Sequence, residues 1–255
     1  AHLHVHTEYS LLDGSNKIKE CVARVKELGM NSVAITDHGV MYGVIDFYRA
    51  AKAAGINPVL GCEIYVAPGS RFDREAGNAK ESRYHHLVLL AENDIGYANL
   101  VKIVSRGFTE GFYYKPRVDK EVLREYHDGI IATSACLAGE VQRYLSRGMY
   151  ETARDVALEL QDIFGKGNFF LELQDHGIAE QHYVNPQLMR MHKETGIELV
   201  CTNDVHYTYA DDVDAHDILL CIQTGKKLSD ENRMRYEGGQ FYLKSEEEMA
   251  ELFKY

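Results

Sequence analysis

Three short motifs hold most of the chemistry in this sequence. His4 and His6 form an H-x-H pair, Asp37 and His38 open a D-H-G triplet, and Asp204 and His206 form a D-x-H pair. Side chains on a β-strand alternate with period two, so His4 and His6 share one face, as do Asp204 and His206. Glu63 in GCEIYV, His85 and His86 ahead of LVLLA, Cys136 in TSAC, and Glu172, Gln174 and His176 in FFLELQDH add further ligand types. Imidazole and carboxylate together suit Zn²⁺, Mn²⁺ or Fe²⁺, and a thiolate tilts one position toward Zn²⁺ without excluding Mn²⁺. A single strand histidine is more often a hydrogen-bonded core residue, and a single cysteine a small core hydrophobe. His2, His127, His182, His192 and His216, with Cys21, Cys62, Cys201 and Cys221, read that way. The other positions differ because each falls on a separate apolar run or its terminal loop. That joint pattern points to a metal cluster.

The runs that must position them are apolar, β-branched and four to ten residues long: 2–6, 32–36, 57–66, 86–91, 129–136, 169–174 and 198–206. Apolar on both faces, they read as buried parallel strands. Helical periodicity lies between them. Ile18, Cys21, Val22, Val25 and Leu28 recur at spacings of three and four, with Gly29 as a C-cap. Segments 43–54, 94–105, 150–164, 181–195 and 245–253 read similarly, the last opened by the capping-box pair Ser245 and Glu248. Strands recur about every 30 residues, the length of a βαβ unit. The expected fold is α/β: a distorted seven-stranded (β/α)7 TIM-like barrel, a single domain over 1–255, with an open doubly wound sheet as the alternative. In a barrel the loops at the strand C-termini converge on one mouth, which would bring the ligand types into one cleft. Segment 67–84 is polar and reads as a mobile loop. Segment 107–128 carries the aromatic and basic run GFYYKPR.

Composition limits the function classes. The chain has 255 residues, 28 Lys and Arg against 39 Asp and Glu, and a net charge of −11. With 45% hydrophobic residues it is not a disordered chain. The charge argues against a protein whose whole surface grips phosphates, but leaves room for a local phosphate site. Five cysteines, an odd number without a CxxC pair, argue against a disulfide framework and for a reducing, cytoplasmic compartment. No apolar run approaches the ~20 residues of a membrane helix. AHLHVHTEYS lacks the regions of a signal peptide, and its abrupt start reads as a trimmed end of a longer chain.

LHVHTEYSLLDG, AITDHG, GCEIYV, HHLVLLA, TSACLAGE and TNDVHY resemble the motifs of the PHP (polymerase and histidinol phosphatase) domain. SLLDGS, ITDHGVMYG, GFYYKPRVD and AHDILLCIQTGK resemble more narrowly the version at the N-terminus of bacterial DNA polymerase III alpha subunits. The resemblance covers essentially the whole chain. It implies a trinuclear site of divalent ions (Zn, Mn or Fe). One ion would take His4, His6, Glu63 and Asp204. A second would share Glu63 with His86 and Cys136. A third would take Asp13, His38 and His206. Asp13 and Cys136 depart from the phosphatase pattern, which has His at both, and match the polymerase version. His86 is preferred to His85 because it directly precedes LVLLA, and Asp37 is expected to orient a ligand.

The chemistry implied is metal-assisted phosphodiester hydrolysis, with no catalytic group beyond the metal ligands. Three divalent ions against Asp13, Glu63, Asp204 and a Cys136 thiolate would leave roughly +2 in the cleft. The expected activity is a 3′→5′ exonuclease on single-stranded or frayed DNA, which in a replicative polymerase would be proofreading. The alternatives are a phosphatase on a small phosphomonoester such as histidinol phosphate, and a non-catalytic metal-stabilised structural module. The expected partners are DNA and the remaining polymerase domains of the parent chain, with no membrane. Tyr9, Phe112, Tyr113, Tyr114, Lys115 and Arg117 are candidate substrate contacts, combining stacking surface with cations. Packing of GFYYKPR onto the barrel or a neighbouring domain is the competing reading. Arg71, Arg74 and Arg83 are weaker candidates for a DNA backbone, and His176 for the mouth.

Overall fold

The computed structural model describes residues 1–74 and 83–254. Its strands are β1 (Ser32–Ile35), β2 (Asn57–Val66), β3 (His85–Ala91), β4 (Phe112–Tyr113), β5 (Lys115–Val118), β6 (Ile130–Thr133), β7 (Phe169–Leu173) and β8 (Leu199–Cys201). Its helices are α1 (Ile18–Glu27), α2 (Val44–Ala54), α3 (Asp94–Thr109), α4 (Lys120–Glu125), α5 (Glu140–Ser146), α6 (Tyr150–Phe164), α7 (Ala179–Thr195), α8 (Val213–Thr224) and α9 (Glu246–Leu252). Ser245 and Glu248 close the capping box of α9 as their spacing predicts. The six expected helices are present, and α4, α5 and α8 are additional.

The strands form a curled sheet in the order β4-β5-β2-β3-β6-β7-β8, with β1 beside β2. This is an α/β fold, but the expected all-parallel barrel needs correction. β3 runs antiparallel to both β2 and β6. A parallel return needs a crossover, usually helical, and no helix is described between β2 and β3, so the chain comes back alongside. The 107–128 excursion supplies the β4–β5 hairpin, whose β5 adds parallel to the free side of β2.

The expected strand 2–6 is not a regular ladder. Isolated parallel bridges join His2 to Val33 and Val5 to Val205. Side chains replace part of the ladder: Thr36 Oγ1 accepts from the Val5 amide at 2.8 Å, and the Asn16 amide donates to the His6 carbonyl at 2.7 Å. The segment still lies between β1 and residue 205, where the alternation expected of a strand turns His4 and His6 inward.

Alternation on β2 separates core from cleft. Cys62, Ile64 and Val66 join the main apolar core with Leu87 and Leu89 of β3 and with Ile103, Leu145, Leu160 and Leu188 from the covering helices. Glu63 and Tyr65 therefore face the other side, opposite Val88 and His86. A second core packs α1 and α2 on β1 through Val22, Val25, Val33, Ile35 and Phe47.

At the start of α3, Gly96 lies against the turn at Gly129: a Cβ there would sit 1.8 Å from the Gly129 carbonyl oxygen. Gly96→Ala is expected to cost about 1–3 kcal/mol by forcing the two backbones apart. Ile222→Ala, at a side chain 62% exposed, should change stability by less than about 0.5 kcal/mol. Thermal melts of the two variants check the contrast.

Candidate metal centre

Nine side chains from seven separate stretches of chain meet at one end of the curled sheet. His4 and His6 are fully buried on the bridged N-terminal segment. Glu63, also fully buried, comes from β2, and His86 from β3. His38 follows β1 and pairs by an isolated backbone bridge with Glu63. Cys136 follows β6; Asp204 and His206 follow β8; Asp13 lies on the loop between the N-terminal segment and α1.

The distances are those of a ligand cluster. His4 Nε2 lies 3.1 Å from Glu63 Oε1 and 3.2 Å from Asp204 Oδ1. His6 Nε2 is 3.1 Å from the same Asp204 oxygen. His86 Nδ1 is 3.0 Å from Glu63 Oε1 and 3.6 Å from Cys136 Sγ. His38 spans two parts of the cluster: Nδ1 touches Glu63 Oε2, and Nε2 is 2.9 Å from Asp13 Oδ2. His206 Nε2 lies 4.0 Å from that Asp13 oxygen. Three sets of ligand atoms lie mutually within 4.8 Å: His4, His6 and Asp204; His38, Glu63 and His86; and His6, His38 and His206.

The histidines are held from behind. His4 Nδ1 faces Glu172 Oε1 at 2.7 Å, His6 Nδ1 faces Ser10 Oγ at 3.1 Å, and His206 Nδ1 faces the Asp204 carbonyl at 2.7 Å. Each Nδ1 meets an acceptor and so carries the proton; in the neutral ring that leaves a lone pair on Nε2, directed into the cluster. His6 Nε2, Asp204 Oδ1 and Asp13 Oδ1 are buried without a hydrogen-bond partner. Buried polar atoms left this way in a native fold call for an explanation. Donor atoms about 3 Å apart, acceptor-only or lone-pair-bearing, match the coordination chemistry of divalent ions bound at about 2.0–2.2 Å. The residues present therefore fit a metal cluster.

A further layer fixes those supports. Glu172 accepts from Thr133 and Thr202 hydroxyls and from Gln174 Nε2 at 2.9 Å, besides His4. Asp37 accepts from the Thr7 amide at 2.6 Å, Thr7 Oγ1 at 2.8 Å and Ser10 Oγ at 2.8 Å. Ser10 Oγ in turn receives the His38 amide at 3.1 Å. Asp37 thus acts on His6 and His38 through Ser10.

Electrostatics follow from this packing. Burial, with the neighbouring His38 and His206 rings, pushes His6 down to about 3, so it is neutral. Burial also opposes protonation of His4, but Asp204 and Glu172 outweigh it and hold the ring well above the usual range. Burial works likewise against protonated His38, and Glu63 and Asp13 raise it to about 10. Glu63, Asp13 and Asp204 would rise on burial, yet the facing imidazoles hold all three below the ordinary carboxylate range. The Cys136 thiol is pushed well up by burial and then by Glu63 and Asp204. Bound cations would reverse this logic, displacing protons from His4, His38 and Cys136.

The cluster lies at the floor of a cleft of about 1000 Å³. Tyr9, Phe112, Tyr114 and Lys115 line it, whereas Tyr113 and Arg117 do not. Arg117 is buried, with its donors spent on the carbonyls of Gly111, Arg83, Arg71 and Asp73. The ring of Tyr113 lies under it, 5.0 Å away. Arg71, expected on a solvated loop, is buried against Glu110, Asp119 and Glu121. Arg74 donates to the Arg71 and Glu110 carbonyls, and Arg83 covers the Tyr114 ring at 4.3 Å. Residues 75–82 of the expected mobile loop lie outside the described residues. His176 is buried, stacked on Phe241 at 3.8 Å and 2.9 Å from the Asn203 carbonyl. His85 is buried on β3 and stands outside the three ligand sets, whereas His86 belongs to one of them.

Sequence reasoning missed Tyr236, whose hydroxyl lies 3.4 Å from Asp13 Oδ2 and 3.3 Å from His206 Nε2. A tyrosine in a polar stretch after the last metal motif carries no distinguishing signal. It also missed Ser10 and the Glu172 clamp, although Glu172 alternates with the core residues Leu171 and Leu173. Glu172→Gln is expected to weaken divalent-ion affinity 10–100-fold while the ligand set stays intact. Titration calorimetry with Mn²⁺ or Zn²⁺ checks it. The same titrations should show proton release, an enthalpy that varies with the buffer, because His4 and His38 hold protons before an ion enters.

The PHP domain family model matches residues 2–176. The DNA polymerase III subunit alpha of Borreliella burgdorferi is 46% identical over 252 residues, covering 99% of this chain and 22% of that protein. That of Treponema pallidum is 47% identical over 252 residues, again 99% and 22%. The chain thus spans about a fifth of the length of the curated relatives it matches. Among solved structures, an amidohydrolase from Chromobacterium violaceum with sulfate and no metal bound aligns at a TM-score of 0.53. It is 14% identical over 81% of this chain and 87% of that one, which shows a shared fold and nothing further. On the family match, reinforced by the two relatives, this chain belongs to the PHP domain family.

Proposed function

We propose that this domain hydrolyses phosphodiesters at a DNA 3′ end, as the 3′→5′ proofreading exonuclease domain of a replicative DNA polymerase whose other domains are its partners. One observation carries the reading: three imidazole Nε2 atoms, locked from behind, converge with buried unpartnered Asp204 and Asp13 oxygens on the floor of an open cleft. By resemblance the site holds three ions, with His4, His6, Glu63 and Asp204 on the first, Glu63, His86 and Cys136 on the second, and Asp13, His38 and His206 on the third. Divalent ions held there supply Lewis-acid polarisation of a phosphoryl group and activation of water at neutral pH.

The chain's own residues do the rest. Glu172, Ser10 and Asp37 hold the ligands in one geometry without reorganisation at each turnover. The walls suit a nucleotide chain better than a small phosphomonoester. Phe112 and Tyr114 are 52% and 62% exposed at the cleft, with Lys115 beside them. Exposed aromatics next to a cation are what unpaired bases and their backbone stack on and pair with. The names of the relatives, replicative polymerase subunits, favour DNA as that chain.

The test is degradation of a 3′-labelled single strand in Mn²⁺. The unaltered chain should shorten it, and His6→Ala and Asp204→Ala should reduce this to background. Equal degradation by the variants would identify a contaminant and defeat the proposal. Release of phosphate from histidinol phosphate without release of nucleotides would make the domain a phosphomonoesterase. If neither substrate reacts and chelation lowers the melting temperature, the metal centre is a structural module of the polymerase.

A further inference from the structure

Outside the ligand cluster, one half-buried arginine of the cleft wall is not accounted for. Arg143, on α5, lines the cleft together with Cys136 and His86. The loop before it is rigid. Gln142 is buried and donates to Ser134 Oγ at 2.7 Å and to the Ala135 carbonyl at 3.0 Å. A Cβ on Gly139 would lie 2.1 Å from the Ser134 carbonyl oxygen, so the turn leading into α5 has no slack. The same loop accepts the His86 amide at the Ala138 carbonyl, 3.1 Å. Arg143 is therefore mounted on the element that brings His86 and Cys136 together.

Its hydrogen bonding is incomplete. Nε donates to the Ala138 carbonyl at a long 3.4 Å. Among the described residues no carboxylate lies within ion-pair distance, and neither terminal nitrogen has an acceptor. The other buried or half-buried arginines are all neutralised or saturated. Arg24, Arg71, Arg106, Arg154 and Arg233 each face a carboxylate. Arg117 is saturated by four backbone carbonyls. In a chain with 39 acidic and 28 basic residues, carboxylates are abundant, so an arginine left without one in a cleft is unusual. Burial and the neighbouring Arg147 both disfavour its charge, as an anion-binding group would show before its anion arrives. A planar guanidinium with both terminal nitrogens open matches a phosphoryl group bidentately.

We infer that Arg143 is the anion-receiving residue of the cleft, binding a phosphoryl group of the substrate beside the His86 and Cys136 side of the ligand cluster. This rests on the proposed phosphodiester chemistry of the same site. It adds a contact that is not a metal ligand and that neither motif nor resemblance singled out.

Inorganic phosphate is the probe, titrated into the Mn²⁺-loaded chain and followed by calorimetry. Arg143→Gln should weaken phosphate binding at least tenfold, the range of a charge-assisted hydrogen bond. Arg143→Lys, which restores the charge without the fork, should fall between. Metal content and melting temperature should match the unaltered chain in both variants. Phosphate binding by Arg143→Gln equal to the unaltered chain would overturn the inference and leave the proposed function standing. So would loss of metal at undiminished phosphate affinity per loaded site, which would instead make Arg143 a support for the Cys136 thiolate. Absence of phosphate binding in the unaltered, metal-loaded chain would overturn the phosphodiester reading and the inference together.

Discussion

Glu63 is the constraint around which the structure is arranged. Its carboxylate is fully buried, and among the described residues no lysine or arginine lies within ion-pair distance. Burying a carboxylate uncompensated costs several kcal/mol even after relaxation. The charge is met chiefly by the imidazoles of His4, His38 and His86, with His6 at 4.0 Å and the Cys136 thiol at 3.9 Å further off. Glu172, the second fully enclosed carboxylate nearby, is met by two hydroxyls, an amide and the far side of His4. His4 is thus clamped between two buried acids. Protons can supply the compensating charge, but only on rings that would otherwise offer lone pairs. Divalent ions supply it while leaving those lone pairs bound, which is why the same packing that is costly as a protein core is serviceable as a metal site.

Backbone strain is concentrated at the same place. Among the described residues, four that are not glycine have positive φ: Leu12 at 63°, Tyr114 at 62°, Ala135 at 60° and Asp204 at 42°. A left-handed conformation costs an L-residue roughly 1–2 kcal/mol. Leu12 precedes Asp13, Ala135 precedes Cys136, Asp204 is itself a ligand type, and Tyr114 lines the cleft. The cost is met locally. Gly14 passes so close to Thr7 that a Cβ would lie 2.3 Å from its carbonyl oxygen, which holds the Asp13 loop folded against the N-terminal segment. The clustering ties the strain to the aiming of side chains rather than to chain connectivity.

The sequence disclosed the cluster better than the fold. Period-two alternation made H-x-H and D-x-H readable as pairs facing one way, and that held for His4 and His6 although their segment is bridged rather than laddered. The direction of β3 was not readable, because HHLVLLA has the same apolar pattern in a parallel or antiparallel setting. Only the absence of helical periodicity in 67–84 hinted at a return without a crossover. The run GFYYKPR misled in part. Lys115 and Arg117 share a strand face by spacing, yet the Arg117 guanidinium is drawn onto the carbonyls of Gly111, Arg83, Arg71 and Asp73 while Lys115 and Tyr114 line the cleft, a difference set by those partners and not by period. Supports such as Ser10 and Tyr236 could not be recognised, since each is an ordinary residue type whose meaning comes only from its partner, and Glu172 read as a ligand type, not as the support of His4.

Asp204 and His206 show how far the site depends on chain beyond the sheet. β8 ends at Cys201, and neither residue lies in a regular strand. Their segment is held by the backbone of 240–243 instead. The His206 amide donates to the Phe241 carbonyl at 2.8 Å, and Asn203 Nδ2 reaches the carbonyls of Gln240 and Tyr242 at 2.8 and 2.7 Å. Lys244 is buried and adds its own bonds to Asn203 and Gln240. On the other side, Val205 pairs with Val5, the residue between His4 and His6. The two ligand pairs closest in pattern are thus neighbours through backbone bonds that neither strand periodicity nor the residue 2–176 family match contains. The last fifty residues are in this sense part of the candidate metal centre: they fix where two candidate ligands and the Tyr236 hydroxyl stand relative to the six contributed by the first ninety residues and to Cys136.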